Sequence, residues 1–346
     1  MASNPKLEFY KFSLKHTDDN RKTFRDFAIE ELNGDASMSN DNIFELCFRH
    51  FVKQFTEGHA KNKNKQKTIT FISDESKNPY VKYYPTLNKA KNTLSGVING
   101  GPYDKEAIVS DTTNNENNST LGKNMSILLP YFIFAYFPSD HFEGFFIVHS
   151  YNRADSITDV FRSYVTELFK GNNYNKAIPM PFCPKNFQEE WRKGAVIQDM
   201  IFSTAVIDNQ LSNNPISNNF NEYNVEIKIT PKVAKDKNKP QMQSINNIWD
   251  IFKAKGYSKG SDVIKIEDFE KQKIVAKNEE RKTTKTFQWN STENEFVPVI
   301  YLRDVGVAVS ENGIPDFEQL KIYCTSLFDS EILKEIRPDK NVHKNI

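Results

Sequence analysis

Residues 126–171 read SILLPYFIFAYFPSDHFEGFFIVHSYNRADSITDVFRSYVTELFKG, and a change of period along this stretch decides the fold. Residues 127–129 and 131–137 form one apolar run, and residues 144–148 form a second. Short, continuous apolar runs of this kind predict buried strands. Between them, Pro138-Ser139-Asp140-His141-Phe142-Glu143 joins a residue that cannot donate to a ladder with polar turn formers, so the two runs predict a hairpin. After Asn152 the spacing changes to three and four. Ile157, Val160, Phe161, Tyr164, Val165 and Leu168 predict an amphipathic helix, with Asp155 placed to cap its start and Gly171 to close it.

Outward from this unit, residues 7–14 read as a short strand. Phe24, Phe27, Ala28 and Leu32 share one face of a helix expected between Asp18 and Gly34, its start favoured by Asp18 and Asp19. Ile43, Phe44, Cys47, Phe48, Phe51, Val52 and Phe55 predict a second helix, with Ser39 and Asn40 as caps and Gly58 beyond its end. Residues 61–67 read Lys-Asn-Lys-Asn-Lys-Gln-Lys, either a solvated loop or a phosphate contact, ahead of a strand at 68–72. Residues 95–110 suggest a hairpin around Asn99-Gly100-Gly101-Pro102, and residues 111–124 a polar loop.

Further strands are expected at 196–207, 225–229, 263–266, 273–276, 283–289 and 296–302. Helices are expected at 186–191, at 245–254 and from Pro315 to before Pro338. The fold class is α+β, a mostly antiparallel sheet with packed amphipathic helices in one or two domains. The division expected is an α+β domain over 1–230, a basic linker over 231–240 and a smaller α+β domain over 241–346.

Composition narrows the function classes. The chain has 346 residues, 38% of them apolar and 13% aromatic, enough for a sizeable core. Its longest apolar run is far short of the roughly 20 residues that cross a bilayer, so no membrane span is expected and the cytoplasm is the default location. Cys47, Cys183 and Cys324 are widely spaced among apolar neighbours and read as buried thiols rather than disulfides or zinc ligands. Gly100-Gly101 lacks the Lys-Ser or Lys-Thr of a phosphate-cradling loop, and no Gly-x-Ser-x-Gly context is present. His141, Glu143 and His149 sit close in sequence and offer an acid–base grouping; a structural role for each is the plainer reading.

Charge supplies the first functional lead. The whole chain is +1, yet residues 228–285 carry 15 Lys or Arg against 8 Asp or Glu. Lys232, Lys235, Lys237, Lys239, Lys253, Lys255 and Lys259 are the expected nucleic-acid contacts, with Phe252, Tyr257, Phe269, Phe287 and Trp289 interleaved for base stacking. The competing reading places those aromatics in a second core and leaves the lysines merely solvated.

The second lead is Glu226-Ile227-Lys228. On a strand, Glu226 and Lys228 project from one face, so a carboxylate can hold a divalent metal while the ammonium steadies charge developing at phosphorus. These residues, with Asp208 upstream, resemble the Glu-x-Lys half of the PD-(D/E)xK nuclease core. The resemblance implies Asp208, Glu226 and Lys228 as catalytic residues, Asp208 and Glu226 as metal ligands, and Mg2+ as the cofactor. The overall layout also resembles poorly characterised bacterial proteins associated with phage defence and mobile elements. Together these observations predict a bacterial cytoplasmic protein that binds or senses DNA or RNA. The alternatives are a metal-dependent nuclease, and a non-enzymatic scaffold or subunit acting through a protein partner or as a homo-oligomer.

Overall fold

The computed structural model describes residues 5–104, 106–110, 113, 118–151, 155–186, 189, 195–207, 222–232, 240–241, 245–253, 255–259, 262–269, 271–278, 283–290, 295–297 and 300–339. The protein is mixed α+β, and its described strand pairings are antiparallel. It divides into two units, Met1–Phe182 with Ile300–Ile346, and Cys183–Val299.

The first unit is built on the hairpin of residues 126–171. Its main sheet contains β1 (Lys6–Ser13), β2 (Ala60–Asn62), β3 (Lys67–Thr70), β4 (Thr93–Pro102), β7 (Leu129–Tyr136) and β8 (Glu143–Ser150); β5 (Ala107–Ser110) and β6 (Asn118–Leu121) form a separate ribbon. The order is β1-β8-β7-β4-β3-β2. Met180–Pro181 and Ile300–Tyr301 both pair with β1. In the hairpin, Phe145 stands opposite Tyr136 and Val148 opposite Ile133. Alternate residues face opposite ways along a strand, and here both ways are apolar. Tyr131, Ile133, Ala135, Phe146 and Val148 enter one core with the helices α1 (Phe24–Glu31), α2 (Asn40–Thr56) and α3 (Thr158–Leu168). Phe134, Tyr136 and Phe145 meet Phe328 on the other side. Two-sided cover explains why the sequence is apolar at nearly every position.

Helix starts follow side-chain chemistry more closely than charge. Thr23 accepts from the Asp26 amide while the Asp26 carboxylate accepts from the Thr23 amide, a capping box that begins α1 later than Asp18 and Asp19 suggested. Ser39 caps α2 as expected. For α3 the N-cap position falls on Ile157, and Asp155 instead accepts the Tyr151 amide through its backbone carbonyl. The closing helix α5 (Phe317–Leu327), capped by Asp316, passes through a wide π turn at Phe328–Ile332 into Leu333–Ile336.

The hairpin expected at 95–110 does not form. β4 is buried at every position from Thr93 to Gly101 and lies between β7 and β3, while β5 pairs with β6. A hairpin with β5 would have left one edge of this buried strand without β7 or β3. Gly101 permits the close approach, since a Cβ there would sit 1.9 Å from the Ile127 carbonyl oxygen.

The second unit is a five-stranded sheet ordered β10-β9-β11-β12-β13, from β9 (Ala195–Ile207), β10 (Glu222–Ile229), β11 (Lys271–Asn278), β12 (Thr283–Asn290) and β13 (Glu295–Val297). Its apolar face buries Ile197, Met200, Phe202, Ile274 and Ala276 with Trp249 of α4 (Ile245–Phe252), whose ring stacks on Phe202 at 5.7 Å. The division differs from one placed at 231–240. β10 precedes that segment and β11 follows it, yet both pair with β9, so the segment connects parts of one sheet. The C-terminal helix belongs with the first unit.

Candidate functional site

β10 alternates cleanly. Val225, Ile227 and Ile229 pack against the second core, whereas Glu226, Lys228 and Thr230 are exposed, and the alternation runs on to exposed Lys232. Glu226 and Lys228 therefore share the face their spacing predicts. Asp208 lies outside the described residues.

The cross-strand register adds residues that local reading missed. Ile201 of β9 stands opposite Lys228 on one side and Lys273 of β11 on the other, making a row Lys228–Ile201–Lys273 across three strands. Two residues along the same pair of strands, Ser203 pairs with Glu226. Lys277 follows Lys273 on the same strand face, opposite in facing to the buried Ile274 and Ala276. The Lys228 ammonium lies 3.0 Å from the Asp199 carboxylate, which also accepts from the Thr230 hydroxyl at 2.5 Å. Lys228 is 54% exposed and Asp199 17%, so this is a surface ion pair. Pairs of that kind are worth about 0–1 kcal/mol and yield readily to a competing anion.

Asp199 and Glu226 do not converge. Asp199 lies beyond the Met200–Ile229 pair and Glu226 opposite Ser203, about four residues along the strand, or roughly 13 Å. Among the described residues, no group of three His, Cys, Asp or Glu side chains comes together to hold a metal.

The expected nucleic-acid contacts separate. Lys253 sits on the turn after α4, on the helix side of the sheet, where Asp250 at 2.7 Å raises its pKa. Lys255 is exposed just beyond it. Lys259 stands in register opposite Asp262 in the small ribbon of Gly256–Lys259 with Asp262–Lys265. Lys235, Lys237 and Lys239 lie outside the described residues.

Of the aromatics expected to stack on bases, Phe269 is 3% exposed and belongs to the core. Phe287 is opposite Ile274 in register. Drawn on the unit's own boundaries, residues 183–299 hold 18 Lys or Arg against 16 Asp or Glu, so the charge bias seen over 228–285 is confined to part of this unit.

No protein-family model, curated protein or solved structure matches this chain.

The other candidate groupings do not come together. His141 receives the Glu143 amide on Nδ1 and stacks on Phe142, and burial lowers its pKa. The Glu143 carboxylate pairs with Lys11 at 3.1 Å. His149 is wholly buried among Tyr131, Tyr151 and Phe317, far down in pKa from burial, so the three residues form no acid–base pair. Cys47, Cys183 and Cys324 are all buried, and burial pushes the Cys47 thiol up to about 12. No helix among the described residues is long and apolar enough to cross a membrane.

Proposed function

We propose that the protein binds the phosphate backbone of DNA or RNA through the outer face of the second unit's sheet, as a binding or sensing protein. The row Lys228–Ile201–Lys273, on the face turned away from the Trp249 core, carries this reading. The two lysine backbones stand two strand spacings apart, roughly 10 Å, with Ile201 between them on the same strand face. Lysines arranged this way exchange condensed counterions for protein charge. The contact would position a strand without reading its sequence, since phosphate contacts carry no base information. The cellular setting we attach, the bacterial cytoplasm and phage defence, follows from the layout of the sequence and from no residue.

Lys228→Gln with Lys273→Gln in the full chain should weaken binding of a labelled oligonucleotide and flatten its dependence on salt by about 1.4 to 1.8 in log–log slope. Unchanged binding would remove this face from the interface. Absence of binding by the wild-type protein at low salt would leave the scaffold reading in its place.

The nuclease alternative draws on one observation, the shared exposed face of Glu226 and Lys228. There Mg2+ would be held by Glu226 with Asp208. Glu226→Gln should then abolish Mg2+-dependent cleavage and spare binding, and cleavage that survives the substitution would eliminate that mechanism.

A further inference from the structure

Many of the first unit's lysines meet a carboxylate: Lys11, Lys22, Lys77, Lys89 and Lys91 each lie in an ion pair. The β2–β3 hairpin breaks that habit. Lys61, Lys63 and Lys65 are exposed at its tip, and none of them has an ion-pair partner among the described residues. The nearby Asp104 carboxylate accepts from the Gln66 side-chain amide, at 3.4 Å.

The tip is also held in shape. Lys61 pairs with Thr68 and Asn62 with Lys67 across the hairpin. The Lys65 amide donates to the Asn62 side chain at 3.1 Å, and the Gln66 amide donates to the Lys63 carbonyl at 3.3 Å. Asn62 reaches out to the Ser163 hydroxyl at 2.8 Å, tying the hairpin to α3, and the Tyr103 amide donates to the Gln66 carbonyl at 2.9 Å. The Lys61 ammonium rests 5.1 Å from the centre of the Tyr103 ring. Charges carried on a frame already ordered cost less entropy to engage than the same charges on a loose loop.

We infer that the tip of the β2–β3 hairpin is a phosphate-backbone contact in its own right, taking nucleic acid through Lys61, Lys63 and Lys65; this rests on the nucleic-acid reading above. The residues between the lysines favour nucleic acid over an anionic bilayer. Asn62, Asn64 and Gln66 are polar, and residues 61–67 contain no large apolar side chain to enter the acyl boundary. Asn and Gln are instead common donors to phosphate and sugar oxygens.

The test is fluorescence anisotropy with a labelled single strand and with its duplex, titrated over a series of salt concentrations. Lys61→Gln, Lys63→Gln and Lys65→Gln together should lower the magnitude of the log–log salt slope by about 2 on the single strand and nearly 3 on the duplex. Lys63→Gln with Lys65→Gln, which keeps the Lys61–Tyr103 contact, should produce about two-thirds of that change with the melting temperature unaltered. Unchanged affinity and slope in both variants, while Lys228→Gln with Lys273→Gln weakens binding, would overturn the hairpin contact and leave the function proposed above standing. No binding by the wild-type protein would overturn both.

Discussion

Arg337 grips Asp140 with both terminal nitrogens, at 2.8 and 3.1 Å, across nearly two hundred positions of sequence. The same guanidinium reaches Asp339 at 2.7 Å, and only 3% of Arg337 is exposed. Burial opposes its charge, but the two carboxylates more than offset that and hold its pKa above the ordinary value. The fork ties the end of the C-terminal helical segment to the turn between β7 and β8. Arg337→Ala should lower stability by about 1.5–3 kcal/mol in chemical denaturation, the range for hydrogen bonds to charged groups. A change under about 0.5 kcal/mol would show that the clamp contributes nothing.

Phe161 packs its ring against Phe51, Phe146 and Tyr164 with no exposed surface. Phe161→Ala should cost about 3–5 kcal/mol, because the surrounding strands and helices cannot collapse into the space. A loss below about 1 kcal/mol would mean that this core is loose.

His149 sets an acid sensitivity. Burial pushes its pKa down to about 3, and neither ring nitrogen has a hydrogen-bond partner among the described residues. The unfolded chain takes up the proton near pH 6.5 and the folded chain does not. Stability therefore falls as pH drops from about 6.5 toward 3, by about 1.4 kcal/mol per pH unit. His149→Phe keeps an aromatic ring and removes the titration. Its denaturation free energy should be flatter than that of the wild type between pH 6.5 and 4.5, with about 2–3 kcal/mol less lost over that interval. Parallel curves would assign the acid sensitivity to other groups.

If the outer sheet face binds phosphate as proposed, Asp199, 3.0 Å from the Lys228 ammonium, competes with it. Asp199→Asn keeps the size of the side chain and removes the competing charge, so oligonucleotide affinity should rise several-fold at low salt, with the advantage shrinking as salt screens the surface. A fall in affinity would mean that Asp199 supports binding, for instance by fixing the lysine's direction.

The hairpin and α3 were readable because their signals are local: two continuous apolar runs, a proline-led turn and a 3.6-residue period. The caps were less so, since a carboxylate near a helix start competes with hydroxyls, and Thr23 with Asp26 prevailed over Asp18. The partnership of β4 with β7 joins strands that are not consecutive, and β9 gathers strands from both sides of 231–240. Pattern along the chain does not encode such choices. At the candidate site, the Glu226–Lys228 spacing was visible on one strand. Asp199, Ile201 and Lys273 come into play only through register, and the charge bias over 228–285 mixes residues from both sides of a sheet.

The second unit interrupts the first, which has a consequence for how the protein is made. β7 and β8 are complete by Ser150, but Phe328, which covers Phe134, Tyr136 and Phe145, comes 178 positions later. At about 5–20 residues per second, a ribosome takes roughly 9–36 s to bridge that gap. Throughout that interval a growing chain lacks the Phe328 ring that packs on Phe134 and Tyr136, while the second unit is being synthesised. Chains released short of residue 328 therefore lack the ring that the finished molecule lays over Phe134 and Tyr136, and leave those side chains more open to water.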